Sequence, residues 1–534
     1  MNLPRMMIAA PKSGSGKTML SCVLLELLKS ENKNIFSVKA GPDYIDPLFH
    51  ETVQDVRCFN LDTFFTDRQV TRELLYEDMI NAKERSRKYN AVIREKQECD
   101  KSIDKEDAII RKKQGCGEGM DKDAPKENES PFCLMEGVMG LYDGIGGVEL
   151  HGSSYELAQW TRTPVILVVD AKGAGRSLLA TIAGMQKMDT DHLISGVVLN
   201  RISEGFYPRI KELIESELDI CVFGFLPERE ELAIESRYLG LVLPDEIANI
   251  SKRIKAAADI ARNSINIEEI CRVMESAEEI FSDQDDNGIT KKGISAGCDL
   301  PRDFLASDDA HPTLNLAIAK DEAFCFYYRE NLRMFEQAGF RLVPFSPIRD
   351  TALPQGAHAL LLGGGYPELH AKALSENHRM RESIREAIRA GMPTIAECGG
   401  FLYLHEWLRD REGVKYPMCG VVRAGAFYGR RSIRFGYIII EETRSDRTEG
   451  DAQNPASEAG RLLFKSQSVR GHEFHHYESE DCGGDLTAKK PYDGRTYRTG
   501  HLFKGQYFGF PHLYLPSAPA FVQTFVREAE GYAY

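Results

Sequence analysis

The chain has 534 residues, with 67 basic and 81 acidic side chains and a formal net charge of −14. That length implies two or more domains with ample core, and the acidic balance argues against a nucleic-acid-binding surface. No apolar run approaches the ~18 residues of a membrane span, and the N-terminus does not read as a signal peptide. Twelve cysteines occur without a C-x-x-C pair, so neither a zinc site nor a disulfide framework is signalled. The expectation is a reduced, cytoplasmic, soluble enzyme.

In chain order, Met6–Ala10 reads as a buried strand, and Pro11-Lys12-Ser13-Gly14-Ser15-Gly16-Lys17-Thr18 follows it. Leu20, Val23, Leu24, Leu27 and Leu28 then fall at helical spacing. Strand, glycine loop and helix in that order make a P-loop for ATP. Backbone N–H groups of Ser13, Gly14, Ser15 and Gly16 wrap phosphates, Lys17 reaches the terminal ones, and the Thr18 hydroxyl ligates Mg2+. Pro11 stands where the common pattern has its first glycine.

A strand at Ile35–Val38 leads into Gly41-Pro42-Asp43-Tyr44-Ile45-Asp46. Two carboxylates three apart at a strand's carboxyl end sit where a doubly wound sheet binds ligand. A turn rich in Pro and Asp is the other reading. After a helix at Thr71–Ile80 come about 50 highly charged residues, roughly 83–130, which read as a solvated insertion. The next strand delivers Glu136 at its end, and a glycine-rich loop offers Asp143. Thr18, Asp43 and Glu136 are an all-oxygen set suited to Mg2+.

Charge, glycine and weak periodicity mark a linker at 281–312, dividing a unit at 1–280 from one at 313–534. In the second unit the apolar run Ala359–Leu362 ends in Gly363-Gly364-Gly365, whose successive N–H groups suit an oxyanion hole. A short strand then reaches Glu397-Cys398-Gly399-Gly400 and a helical pattern, a corner that exposes a nucleophile. The following helix is expected to lower the thiol pKa; a buried structural cysteine is the alternative. His512 is the candidate base. The polar stretches 444–459 and 479–498 read as surface loops. Arg423, Arg430, Arg431 and Arg434 surround Tyr428 and Phe435, with His472, His475 and His476 further on. Arginine forks of this kind grip carboxylates bidentately.

The Cys398 corner, the three glycines and His512 together resemble class I glutamine amidotransferases. That family usually has an acid two residues after the histidine. Here Tyr514 stands there, so a Cys398–His512 dyad is expected, a departure typical of cobyrinic and cobyric acid amide synthases. The P-loop, with Lys12, resembles the deviant form of the dethiobiotin synthetase and cell-division ATPase superfamily. In some members that lysine enters a partner subunit's site; a solvated loop charge is the other reading.

Further stretches extend the resemblance along nearly the whole chain: Gly41–Asp46, Glu136–Gly144, Val198-Leu199-Asn200-Arg201, Ala319–Phe324, Phe345-Ser346-Pro347, Gly363–Glu368 and Gly471–His475. In this order they are similar to the a,c-diamide-forming branch of the cobyrinic acid amide synthase family. The resemblance implies an α/β chain: an N-terminal P-loop domain on a doubly wound, mostly parallel sheet, and a C-terminal class I glutamine amidotransferase-like domain. It implies a ligase that activates the a and c acetate carboxylates of cobyrinate with ATP and Mg2+, and amidates them with ammonia from glutamine.

By the same resemblance Asp43, Asp46, Glu136 and Asp143 serve ATP, metal and the activated acid. Tyr44 and Ile45 orient the tetrapyrrole, Asn200 contacts adenine, and Gly363, Gly364, Gly365 and Gly399 serve glutamine and its oxyanion. Arg430 and Arg434 are read as gripping substrate carboxylates on a cleft wall. The implied partners are a tetrapyrrole polycarboxylate, glutamine and ATP, with no nucleic acid or membrane, and a homodimer is compatible. Nickel-sirohydrochlorin or hydrogenobyrinate as substrate is the alternative within the class. A dimeric P-loop ATPase switch with an inactive amidotransferase-like appendage is the alternative outside it. Tyr238 stands where the family usually has histidine.

Overall fold

The computed structural model describes residues 3–83, 130–229, 244–281, 314–429, 434–443 and 468–532. The insertion at 84–129, the linker beyond 281, Tyr238, Arg430, Arg431 and the loop at 444–459 lie outside the described residues. The chain divides into two compact units, Met1–Ala296 and Gly297–Tyr534.

In the first unit β1 (Arg5–Ala9), β2 (Ile35–Ala40), β3 (Cys58–Leu61), β4 (Phe132–Glu136), β5 (Val165–Asp170), β6 (Ile194–Asn200) and β7 (Cys221–Leu226) form one sheet. Its order is β3-β2-β4-β1-β5-β6-β7, and every pairing is parallel. Continuous burial of β1 and β4 explains their unbroken apolar runs, because helices cover both faces of a parallel sheet. Helix α1 (Lys17–Ser30) buries Leu20, Val23, Leu24, Leu27 and Leu28 in the core with Ala257, Ala258 and Ala261 of the helix Pro244–Ala261. Helix α2 (Ile45–Gln54) packs beside it through Phe49 and Val53. The loops after β1, β2 and β4 leave the carboxyl ends of three adjacent strands. That edge is where an open α/β sheet binds its ligand.

In the second unit β8 (Leu314–Ala319), β10 (Phe340–Phe345), β11 (Ala359–Leu362), β13 (Thr394–Glu397), β22 (His501–Phe503) and β23 (Gln506–Gly509) form a sheet in the order β10-β8-β11-β13-β23-β22. A two-stranded ribbon pairs β9 (Phe324–Phe326) with β12 (Gly364–Gly365). Helix α3 (Gly399–Tyr403) follows β13 directly.

Two further antiparallel-rich sheets complete the unit. One is built from β14 (His405–Arg409), β15 (Lys415–Pro417), β16 (Val422–Tyr428) and β19 (Tyr477–Ser479). The other holds β17 (Phe435–Glu442), β18 (Val469–Phe474), β20 (Leu486–Lys489), β21 (Thr496–Thr499) and β24 (His512–Leu513). The last of these corrects the reading of 479–498 as a loop. Leu486 and Ala488 are fully buried, and β20–β21 is a paired hairpin. Its Leu-Thr-Ala-Lys alternation is a half-buried strand, too short to stand out from the polar residues around it.

Candidate active site in each unit

The P-loop leaves β1 and turns into α1 at Gly16, whose φ of 99° is open to glycine and strained for other residues. A side chain there would also collide with Asn200, since its Cβ would lie 2.2 Å from Nδ2. Asn200 sits at the end of β6 and donates from Nδ2 to the Ser15 carbonyl at 2.8 Å, pinning the loop from below. Lys12, Ser13 and Gly14 are exposed and Ser15 is buried, so the loop presents its backbone outward. Lys17 Nζ donates to the Met139 carbonyl in the loop after β4. Gly140 N–H donates to Asp143 Oδ2 at 2.9 Å, which closes that second loop around its own acid.

The Thr18 hydroxyl donates to Glu136 Oε1 at 2.7 Å, joining the P-loop to a buried charge cluster. At its centre is Lys39, 2.9 Å from Glu136, 3.7 Å from Asp43, and bonded to Asp46. The register of β2 against β4 sets Lys39 opposite Glu136, although 97 residues separate them in the chain. Burial alone would disfavour the Lys39 charge, but the three carboxylates outweigh it and hold its pKa well above the usual lysine range. One ammonium cannot match three acids, and Asp46 carries the excess. Burial and then repulsion from Glu136 push its carboxyl up to about 7. Glu136 itself stays ionised: Lys39 and His50 overcome its burial.

Glu136 Oε2 is buried and accepts no hydrogen bond, and His50 Nε2 lies 3.6 Å away. Among the described residues no group of three or more His, Cys, Asp or Glu is arranged as a ready metal site. That arrangement still fits Mg2+, which is commonly held by one or two carboxylates with phosphate oxygens and water. Thr18 and Glu136, with a spare buried carboxylate oxygen, supply such donors. Asp43 Oδ1 instead accepts from the Ile45 N–H at 2.8 Å, capping the start of α2. Tyr44 precedes that helix, and Ile45 packs on the apolar cluster of Cys22, Phe49 and Val53. Lys39 and His50 were not singled out in the sequence; a lysine near the end of a mostly apolar strand was the available signal.

Burial, and then Lys39, lower the Lys17 pKa to about 8. Phosphates placed beside it restore the charged form, so ATP binding at about pH 9 should take up a proton. Calorimetry in buffers of different ionisation enthalpy reads that proton directly. Proton release, or no exchange, would contradict the placement of Lys17 against phosphate.

In the second unit the chain leaves β13 at Glu397 and Cys398 takes φ 47°, ψ −101°, a strained corner for a non-glycine residue. Cys398 N–H donates to the Gly509 carbonyl at 2.9 Å, fixing the corner against β23. Gly400 N–H donates to Gly363 O at 2.9 Å, and a Cβ on Gly399 would lie 3.0 Å from the Gly365 nitrogen. The three glycines thus divide their tasks. Gly363 N–H donates to the Tyr327 hydroxyl at 3.1 Å. Gly364 leaves room for His512, whose Cε1 would be 2.3 Å from a Cβ there. Gly365 presents its nitrogen beside Gly399.

The expected low thiol pKa is overturned. Burial pushes the Cys398 thiol well up, Glu368 adds repulsion, and a five-residue helix provides little dipole to oppose them. His512 is buried, and burial followed by repulsion from His475 lowers it to about 3. The resting pair is therefore thiol and neutral imidazole. Tyr514 packs edge-on against Tyr328 at 5.7 Å and supplies no acid. Glu397, not singled out in the sequence as a partner for the histidine, lies with Oε2 at 3.8 Å from His512 Nδ1.

Of the basic cluster, Arg423 is exposed, and Arg434 stacks over Tyr497 at 4.4 Å. Tyr428, Phe435 and Phe474 are exposed, with Phe435 and Phe474 in edge contact at 5.3 Å and Arg411 over Tyr428 at 4.7 Å. His472 and His475 are buried, whereas His476 is exposed and its ring lies 6.3 Å from that of Tyr428 and 5.6 Å from that of Phe474.

Residues 6–240 match the CobQ/CobB/MinD/ParA nucleotide binding domain, and residues 315–501 match the CobB/CobQ-like glutamine amidotransferase domain. A nucleotide-binding P-loop unit joined to an amidotransferase unit defines an ATP-dependent ligase that takes its amide nitrogen from glutamine. The chain is 33% identical over 533 residues to a cobyrinate a,c-diamide synthase of Caldanaerobacter subterraneus subsp. tengcongensis, covering 98% of each chain. It is 30% identical over 523 residues to that of Listeria innocua, covering 97% of each. With that of Thermoplasma volcanium it shares 30% over 537 residues, covering 100% of this chain and 99% of the relative. The chain belongs to the cobyrinate a,c-diamide synthase family. Among the described residues no helix is long and apolar enough to cross a membrane.

Proposed function

We propose that this protein amidates the a and c acetate carboxylates of cobyrinate in the cytoplasm, using ATP, Mg2+ and glutamine. The observation that carries the reading is its near-full-length likeness to relatives of that name. In the first unit Lys17 and the P-loop backbone hold the triphosphate, and Thr18 and Glu136 hold Mg2+. The cation supplies charge neutralisation on the phosphates. Half-buried Asp43 and Asp143 line the approach of the substrate acid, which leaves as an acyl phosphate; buried Asp46 acts through its bond to Lys39, and Tyr44 faces the tetrapyrrole. Asn200 sets the loop that meets the nucleotide.

In the second unit His512 takes the Cys398 thiol proton and the sulfur attacks the glutamine amide carbon. N–H groups of Gly365 and Gly399 stabilise the oxyanion, ammonia departs, and water releases glutamate and the thiol. Ammonia then displaces phosphate from the acyl phosphate to leave a carboxamide. The reading includes a homodimer, in keeping with the exposed Lys12 of the loop. Purified protein given ATP, glutamine and, in turn, cobyrinate, hydrogenobyrinate or nickel-sirohydrochlorin tests it by mass spectrometry. Two successive carboxyl-to-carboxamide changes on cobyrinate are expected; preference for another ring would displace cobyrinate as the substrate.

The exposed aromatics Tyr428, Phe435 and Phe474, with Arg411 and Arg434 beside them, suit a flat ring edged with carboxylates. Arg434→Ala should raise the tetrapyrrole KM about 10- to 100-fold, the range of one lost charge-assisted hydrogen bond. Glutamine hydrolysis assayed alone should stay within about twofold. An unaltered tetrapyrrole KM would return the region to an ordinary basic surface.

A further inference from the structure

The acid expected two residues after His512 is missing, and Tyr514 occupies its place among aromatic side chains. The fold brings a different acid to the histidine. Glu397 ends β13, immediately before the nucleophile, and is 6% exposed. Its Oε1 accepts the Leu513 N–H at 3.0 Å, so the residue next to His512 fixes the carboxylate. Its Oε2 lies 3.8 Å from His512 Nδ1, longer than a hydrogen bond and within ion-pair distance once the ring is protonated. On the ring's other side the missing side chain of Gly364 leaves the space that the imidazole fills. Register does the rest: β13 runs parallel to β23 with Glu397 opposite Gly509, three residues before His512.

We infer that Glu397 is the positioning residue of the thiol site, holding His512 through Nδ1 and stabilising the imidazolium formed when Cys398 is deprotonated. The inference rests on the reading of Cys398 as nucleophile and His512 as base. With Nδ1–H directed to the carboxylate, Nε2 is left to take the thiol proton. The Sγ–C bond forms as the carbonyl electron pair moves onto oxygen. The C–N bond then breaks, and the Nε2 proton goes to the leaving nitrogen, giving ammonia and a thioester. The positive charge on the ring exists only between those two transfers, so Glu397 acts on turnover more than on glutamine binding. Burial pushes Glu397 up to about 8 and His512 down to about 3, so the ring is neutral at rest and the carboxylate form of Glu397, held by the Leu513 N–H, is the form that acts. The ionised carboxylate makes the positive charge on the buried ring tolerable.

Glu397→Gln keeps the side-chain shape and an oxygen for the Leu513 N–H but removes the charge. Its kcat for glutamine hydrolysis should fall about 10²- to 10³-fold, with the glutamine KM within about threefold of wild type. Ammonium-supported amidation by the same preparation should be unchanged, which reports an intact fold. Glu397→Asp, which retains the charge, should recover about tenfold of the loss. A normal kcat in Glu397→Gln, a rise in KM alone, or a parallel loss of ammonium-supported amidation would overturn the inference. Cys398→Ser assayed alongside separates the two readings. Glutamine hydrolysis surviving in Cys398→Ser would remove the nucleophile assignment itself. Its loss there, with normal turnover in Glu397→Gln, would remove only the role of Glu397.

Discussion

Cys398→Ser should abolish glutamine-dependent amidation, by about a thousandfold or more, while high ammonium still supports the reaction. The two candidate sites belong to separate compact units, and each has its own core. The exchange of sulfur for oxygen is nearly isosteric, and Cys398 holds the corner through its backbone N–H, which serine retains. Serine's higher pKa leaves His512, already held low by burial, unable to generate the nucleophile. Glutaminase assays and ammonium-driven amidation on one preparation give the result. If both activities disappear while the melting temperature holds, the separation of the two chemistries is wrong.

Lys17→Ala should instead abolish amidation from either nitrogen source, by about 10²- to 10³-fold or more, the loss expected for one charged group that stabilises transferring phosphate. Lys39 is a neighbouring ammonium, and its bonds to Asp46 and Glu136 prevent it from taking over. Glutamine hydrolysis measured alone should survive. The folded state holds the Lys17 pKa below its unfolded value, so the charge opposes folding at neutral pH. The variant should accordingly melt no lower than wild type. Ammonium-driven turnover close to wild type would sink the assignment of Lys17 to ATP.

Much of the site can be read locally. A strand, a glycine loop and an amphipathic helix are contiguous at 6–28, and their backbone geometry follows from glycine and from 3.6-residue spacing. The Cys398 corner is equally local: an apolar strand, one residue in a strained conformation and two glycines packed against Leu362 and Gly365. The pattern was misleading where composition hid a short strand. Residues 486–489 carry only four alternating positions, and the polar residues flanking them mask the two that reach the core.

By itself the sequence determined the class of protein: a P-loop on a parallel sheet, a thiol corner backed by glycines, and their order along the chain. Each of those features is stated within a dozen residues, where backbone sterics and periodicity act. The tertiary structure decided the charge partners. Lys39 meets Glu136 because β2 and β4 pair in one register, and Glu397 meets His512 because β13 and β24 converge from 115 residues apart in the chain. It also decided the protonation of Cys398, where burial outweighs the helix that adjoins it. Desolvation and pairing depend on what lies across space, and no local pattern of residues encodes them.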